Sequence, residues 1–210
     1  MRRRTAVLIS GRGSNMAALI EAAADPAYPA EIALVVSNRA AAAGLERARA
    51  GGIPTAAIER KGMERGAHEA EIDAALVRHG IELVCLAGYL RVLTPYLVGR
   101  WQGRMLNVHP SLLPAFPGLD THARALAAGV KLHGCTVHLV TERLDDGPIL
   151  VQAAVPVLAG DSAETLAARV LVQEHRIYPL GLALLAGATA REAAGDAALL
   201  NPLPGFGPAP

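Results

Sequence analysis

Short apolar segments alternate with longer alanine-rich segments along most of the chain, and this alternation limits the possible folds. Strands are predicted at 5–9, 32–37, 55–58, 82–87 and 104–108. Strands that alternate with helical segments predict βα units around a mostly parallel sheet. Two longer apolar segments, 133–140 and 149–157, flank a turn and predict an antiparallel addition. We therefore expect an α/β fold: a single-domain, Rossmann-like open sheet, mostly parallel, with helices on both faces and an antiparallel C-terminal addition.

Apolar residues at helical spacing predict helices in most of the segments between the strands. The predicted helices cover 15–24, 40–50, 64–79 and 122–128, and Thr94 and Pro95 open a short one. A longer helix follows Asp161, which we expect to cap it, with Glu164 completing a capping box. Residues 1–190 are expected to form one domain, and 191–210 a Pro/Gly-rich, partly disordered tail.

Composition excludes several classes of protein. The 52 % apolar content with only 3 % aromatic residues indicates a core of Ala, Leu and Val. Lys and Arg number 20 against 19 Asp and Glu, a net charge of +1 that argues against nucleic-acid or membrane-surface binding. No apolar run approaches the length of about 18 residues that spans a membrane, so we expect a soluble, cytoplasmic protein. Cys85 and Cys135 lie in apolar segments and are predicted to be buried, reduced thiols.

A glycine-rich turn, SGRGSN, joins the first strand to the first helix. Free backbone N–H groups and the helix dipole favour an anion at a helix N-terminus, and Gly11 and Gly13 would let a phosphate approach the backbone. Ser14 and Asn15 could add side-chain donors. Met16 stands where a dinucleotide fingerprint has its third glycine, so a monophosphate fits better. The alternative is a tight turn with a Ser or Asn cap.

Asn107 and His109 end a buried strand, and residues i and i+2 of a strand share a face. An amide donor beside an imidazole suits a reaction that develops an oxyanion and moves a proton. The alternative is a structural histidine at a strand end. A Pro-rich segment without periodicity follows at 110–121, and long loops in compact domains are often functional.

The segment LDDGP favours a β-turn by composition, but Asp145 beside His109 would favour the protonated imidazole. Residues 90–93 (Leu90, Arg91, Val92 and Leu93) offer apolar surface with one cation, which suits a flat aromatic ligand or simple packing. His122 is interpreted as a supporting group of the site. His133, His138 and His175 are interpreted as structural. The spacing of these residues does not indicate a metal site.

Taken together, these motifs resemble those of the phosphoribosylglycinamide formyltransferases, a folate-dependent family of purine biosynthesis. The matching segments are ISGRGSNM, VSNRAAAAGLERA, LAGYLRVL, RMLNVHPSLLPAFPGLDTHARAL, HGCTVHLVTERLDDGPIL and QEHRIYP. They occur in family order and extend to about residue 179. The resemblance implies transfer of a formyl group from 10-formyltetrahydrofolate, as co-substrate and without a metal, to the amine of glycinamide ribonucleotide.

The resemblance also implies a role for each matching residue. Asn107 would donate to the formyl oxygen of a tetrahedral intermediate, protonated His109 would act as general acid, and Asp145 would stabilise that protonated state. The ribonucleotide would be held by Gly13, Ser14, Asn15 and Glu174. The folate would contact Arg65, Leu90, Arg91, Val92, Leu93, Asn107, Thr141 and Asp145. A monomer or homodimer is expected, with small-molecule substrates as its partners.

Two positions depart from the family pattern. Leu171 stands where relatives often have a glutamine, and Asp146 stands where a glycine often follows the first aspartate. The alternative functions are formyl-folate hydrolysis, formylation of another amine such as aminoacyl-tRNA, and a non-catalytic nucleotide-binding module. The first two are expected to need an extra N- or C-terminal domain, for which 210 residues leave no room. Intact Asn107, His109 and Asp145 argue against the third.

Overall fold

One seven-stranded sheet organises the chain, in the strand order β3-β2-β1-β4-β5-β6-β7. The computed structural model describes residues 1–187, so the predicted tail at 191–210 lies outside the described residues. The strands are β1 (Arg3–Ile9), β2 (Ala30–Ser37), β3 (Thr55–Ala57), β4 (Leu83–Leu86), β5 (Met105–His109), β6 (Leu132–Leu139) and β7 (Ile149–Pro156). The helices are α1 (Ser14–Ala23), α2 (Ala43–Ala50), α3 (Arg65–Arg78), α4 (Pro95–Arg100), α5 (Thr121–Ala127) and α6 (Ala163–Leu185).

The first five strands pair in parallel, and β6 and β7 add to β5 in antiparallel orientation. One face of the sheet forms a core with α1, α2, α5 and α6. On the other face, α3 and α4 contribute Ile72, Leu76, Leu97 and Trp101 to a second core. The predicted fold is therefore confirmed. Because the parallel strands all end at one edge, the turns after β1, β4 and β5 lie along that edge.

Helix α6 is joined to the sheet at the level where β4 and β5 end. The buried hydroxyl of Tyr178 donates to the carbonyl of Leu86 at 2.8 Å and approaches that of Leu106 at 3.4 Å. Nearby, the backbone of α6 packs closely on β6, since a Cβ on Gly181 would lie 2.5 Å from Cγ1 of Val137. This close approach requires glycine.

The start of α6 differs from the prediction. Ser162, not Asp161, is the N-cap, and its capping-box partner is Thr165 rather than Glu164. The carboxylate of Asp161 instead accepts hydrogen bonds from the guanidinium of Arg169 at 2.8 and 2.9 Å. The prediction of an Asp161 cap was wrong because two adjacent polar residues could serve and the local sequence does not choose between them.

Both cysteines are buried and free, as predicted. Among the helices of residues 1–187, none combines the length and the hydropathy needed to cross a membrane.

The contact at Gly181 gives a stability prediction. Gly181→Ala should lower the free energy of unfolding by about 1–3 kcal/mol, because the added methyl forces α6 away from Val137. Gly66→Ala is the control, because a Cβ on this helical glycine meets nothing within 4 Å; it should stay within about 0.5 kcal/mol of wild type. Urea unfolding of both variants measures the difference. Equal stability of the two variants would contradict the close packing of α6.

Candidate active site

Four polar side chains meet where β5 pairs with β6. The register places Asn107 opposite His138 and His109 opposite Thr136. Directly paired residues of an antiparallel pair lie on the same face, so all four project together. The i, i+2 spacing predicted that Asn107 and His109 project together, but no site role was predicted for His138 or Thr136. Polar residues at i and i+2 of β6 were the available signal.

The imidazole of His109 is buried and has a contact on each nitrogen. Nε2 lies 3.0 Å from the carbonyl oxygen of Phe116, and Nδ1 lies 3.4 Å from Oδ2 of Asp145. His109 is 5 % exposed, so both contacts are shielded from bulk solvent. Phe116 and Asp145 both have left-handed backbone conformations, with φ of 54° and 52°. A neutral ring can donate to one of these oxygens; a protonated ring donates to both.

The loop after β6 orients the carboxylate of Asp145. Its Oδ2 accepts a hydrogen bond from the backbone N–H of Gly118 at 2.8 Å, which joins this loop to the Pro-rich segment. Gly147 packs against β6 so closely that a Cβ would lie 1.8 Å from the carbonyl oxygen of Leu139. Asp146 is mostly exposed and lies near Arg143, at 3.6 Å. Of the two aspartates, Asp145 therefore faces His109, as the family alignment implied.

His138 orients the amide of Asn107. Its Nε2 lies 3.3 Å from Nδ2 of Asn107, and its Nδ1 lies 2.9 Å from the carbonyl of Leu139. Burial lowers the pKa of His138, so the ring is neutral near pH 7, with Nδ1–H donating to Leu139 and Nε2 accepting from Asn107. The second amide hydrogen of Asn107 remains available for a ligand. His138, interpreted from the sequence as structural, thus belongs to the site.

The Pro-rich segment is held by side chains of β6 and β7. The hydroxyl of Thr136 donates to the carbonyl of Ser111 at 2.7 Å and accepts from the backbone N–H of Leu113 at 3.0 Å. Gln152 donates to the carbonyl of Leu113 and to Thr136, both at 2.9 Å. These bonds fix the start of the loop that carries Phe116.

A pair of histidines packs against Phe116, whose ring lies 5.9 Å from that of His133. Nε2 of His133 is 3.2 Å from Nδ1 of His122, and the rings are edge to face. Burial, and then the charge of His122, lower the pKa of His133 to about 4. Burial and the charge of His109 also lower the pKa of His122. The supporting role predicted for His122 stays a prediction.

The turn after β1 ends in a helix N-terminus without a side-chain cap. Gly13 is the N-cap, in left-handed conformation with φ of 71°. The backbone of Gly44 contacts this turn, since its N–H donates to the carbonyl of Gly11 at 3.1 Å. The alternative of a Ser or Asn cap does not apply, because the N-cap is Gly13 and, among residues 1–187, no side-chain cap bonds the first turn of α1. The N–H groups there remain available to an anion.

Asn15 connects this turn to α6. Its Nδ2 donates to Oε2 of Glu174 at 2.6 Å, whereas its buried Oδ1 has no partner among the described residues. Glu174 is 8 % exposed, and burial raises its pKa. Leu171, one of the two positions expected to depart from the family pattern, lies three residues earlier on α6. The structure thus brings Asn15 and Glu174 together.

The residues expected to contact folate are spread over four segments: Arg65, residues 90–93, Asn107, and Thr141 with Asp145. Leu90 and Val92 are 65 % and 59 % exposed, large values for apolar side chains. Thr141 is exposed and donates to the carbonyl of Arg143 at 3.2 Å. Arg65 begins α3, and among the described residues no hydrogen bond or ion pair joins it to Asn107, His109 or Asp145. Within residues 1–187, no group of three or more His, Cys, Asp or Glu side chains is placed to hold a metal ion.

The histidine pair gives a titration prediction. In ¹H–¹³C spectra recorded from neutral pH down to well below the expected midpoint, the ring of His133 should stay neutral at about pH 6 and titrate near a pKa of about 4. His122→Asn removes a neighbouring positive charge, so the pKa of His133 should rise. The control, His175→Asn, removes a histidine from α6 and should leave the pKa of His133 unchanged. A pKa of His133 near 6.5 in wild type would contradict the burial and repulsion described here.

Known proteins are similar to this chain in sequence. Residues 3–182 match the family described as Formyl transferase. The phosphoribosylglycinamide formyltransferase of Escherichia coli (strain K12) is 47 % identical over 175 residues, or 83 % of this chain and 82 % of that protein. The trifunctional purine biosynthetic protein adenosine-3 of Bos taurus is 49 % identical over 90 % of this chain. This chain spans 19 % of the length of that trifunctional relative.

Solved structures agree. The crystal structure of phosphoribosylglycinamide formyltransferase from Brucella melitensis has a TM-score of 0.86 and 57 % identity, covering 90 % of this chain and 98 % of the other. Glycinamide ribonucleotide transformylase 1 from Symbiobacterium toebii has a TM-score of 0.86 and 47 % identity, covering 88 % of each chain. The family resemblance predicted from the sequence motifs is thus confirmed, and the chain belongs to the formyl transferase family.

Proposed function

We propose that this protein transfers the formyl group of 10-formyltetrahydrofolate to the amine of glycinamide ribonucleotide, in de novo purine biosynthesis. The products are formylglycinamide ribonucleotide and tetrahydrofolate. The observation that carries the proposal is the grouping of Asn107, His109 and Asp145 at the carboxyl edge of the sheet. The names of the two bacterial relatives supply the acceptor, and their match extends over most of each chain.

The reaction joins a neutral amine to the formyl carbon. The amine nitrogen forms the new C–N bond as negative charge develops on the formyl oxygen. The free amide hydrogen of Asn107 would donate to that oxygen, while His138 holds the other amide hydrogen and fixes the orientation of the group. One preorganised donor of this kind is worth about 3–4 kcal/mol in the transition state. A protein nucleophile is not required.

Collapse of the tetrahedral intermediate breaks the bond between the formyl carbon and the folate nitrogen. That nitrogen must gain a proton, and the attacking amine must lose one. Protonated His109 would supply the first proton, directly or through water, and recover one from the amine. The carboxylate of Asp145, 3.4 Å from Nδ1, favours the charged imidazole. Protons and charge therefore balance over one turnover.

The ribonucleotide and the folate would approach from different sides of this centre. The N-terminus of α1, which has no side-chain cap, would hold the phosphate through Gly13, Ser14 and Asn15. Glu174 would lie near the ribose and the amine. The exposed apolar side chains of residues 90–93 would contact the folate, together with Arg65 and Thr141. Asn107 and Asp145 would then face the formyl-bearing end of the folate.

The test is an absorbance assay for tetrahydrofolate formation from 10-formyltetrahydrofolate, with and without glycinamide ribonucleotide. We expect product only when the nucleotide is present. Product without the nucleotide would indicate a formyl-folate hydrolase, and no product in either case would indicate a binding module or another acceptor.

His109→Ala should lower kcat by about 10²–10⁴-fold and change the KM values little, because a general acid acts in the transition state. His79→Ala is the control, because His79 caps the end of α3. A wild-type kcat in His109→Ala would refute the assignment of His109 as general acid.

The phosphate site gives a separate prediction. Ser14→Ala should raise the KM for the nucleotide about tenfold, because a hydrogen bond to a charged group is lost, and should leave the KM for folate nearly unchanged. Ser162→Ala is matched to it, since Ser162 also lies at a helix N-terminus and its hydroxyl accepts from Thr165 N–H at 3.3 Å. That control should lose about 1 kcal/mol of stability without a change in nucleotide KM. Equal losses for both substrates in Ser14→Ala would refute the assignment.

A further inference from the structure

Residues 90–93 form an exposed segment that two buried side chains fasten at its two ends. At the first end, the backbone N–H of Leu90 donates to Oγ of Ser10 at 2.9 Å. At the second end, the carboxylate of Glu69 accepts from the backbone N–H of Thr94 at 2.9 and 3.2 Å and from its hydroxyl. Ser10 is 1 % exposed and Glu69 2 %. Neither residue has a role predicted from the sequence.

Ser10 connects the glycine-rich turn after β1 to the segment after β4. It follows the last residue of β1 and precedes the glycine-rich turn that leads to Gly13. Its backbone N–H donates to the carbonyl of Gly88 at 3.2 Å, while its hydroxyl holds Leu90. One residue therefore binds the turn after β4 twice, through its main chain and its side chain. Because hydrogen bonds shielded from water are not exchanged readily for bonds to solvent, this connection fixes the path of the chain.

The segment needs such support, because its own packing is weak. Leu90, Arg91 and Val92 are exposed, and no regular helix or strand includes them. An exposed segment without regular structure loses conformational freedom when a ligand orders it, and this cost weakens binding. Support from Ser10 and Glu69 reduces that cost before the ligand arrives.

We propose that Ser10 is a positioning residue, whose buried hydroxyl fixes residues 90–93 relative to the turn at Gly11 and Gly13, and thereby preorganises the folate subsite. Glu69 fixes the other end of the same segment. This inference rests on the proposed function, since it treats residues 90–93 as a folate contact. Ser10 itself touches no reacting atom.

Kinetics of Ser10→Ala test the inference. Loss of one buried hydrogen bond should raise the KM for 10-formyltetrahydrofolate about fivefold. kcat and the KM for glycinamide ribonucleotide should stay close to wild type, because neither Asn107 nor the N–H groups of α1 lose a contact. Glu69→Gln, which keeps one oxygen as an acceptor, should raise the KM for folate in the same way from the other end of the segment.

Ser37→Ala is the matched control. Ser37 is also buried at the carboxyl end of a strand, and its hydroxyl serves a local turn, where it accepts from the N–H of Arg39 at 3.1 Å. It should lose stability without a change in the KM for folate. A rise confined to the folate KM in Ser10→Ala and Glu69→Gln would support the positioning role. An unchanged folate KM in Ser10→Ala, or equal rises for both substrates, would overturn it. A wild-type protein without transfer activity would overturn the proposed function itself. An active wild-type enzyme with an unchanged folate KM in Ser10→Ala would overturn only the positioning role, so the two failures are distinguishable.

Discussion

The antiparallel pairing of β6 with β5 is the interaction on which the site depends. Its register sets Asn107 opposite His138 and His109 opposite Thr136, and a shift of β6 by one residue would turn His138 and Thr136 to the other face. The register is held on the opposite face by apolar packing, where Val137 meets the bare backbone of α6 at Gly181. Packing on one face of the sheet thus places the polar groups on the other.

Much of the fold could be predicted from the sequence. Strands, helices and the change from parallel to antiparallel pairing each follow from local hydrophobic patterns that tertiary contacts do not override. The start of α6 was missed by one residue, because Asp161 and Ser162 are equally suited to cap a helix. Such ends depend on contacts such as that of Asp161 with Arg169, which lies eight residues away.

The site was predicted less completely. Asn107 and His109 could be singled out because they share one strand face, and Gly13 because its turn joins a strand to a helix; the left-handed conformation of Gly13 was not predicted. His138, Thr136 and Gln152 were missed, because their role arises from pairing between strands rather than within one. Ser10 and Glu69 were missed for a related reason. Ser10 bonds a residue 80 positions away through its hydroxyl, and Glu69 bonds a residue 25 positions away through its carboxylate. Long-range contacts of single side chains leave little periodic signal.

The two residues that contact His109 both have backbone conformations that L-amino acids rarely adopt. Phe116 and Asp145 have positive φ, and neither is a glycine. Glycine at either position would remove a backbone strain of about 1–2 kcal/mol, but glycine at 145 would also remove the carboxylate that accepts from Gly118 N–H and lies beside His109. The strain and these contacts therefore cannot be separated at position 145. The loop after β6 thus gives up local backbone stability in order to place an oxygen beside a buried imidazole.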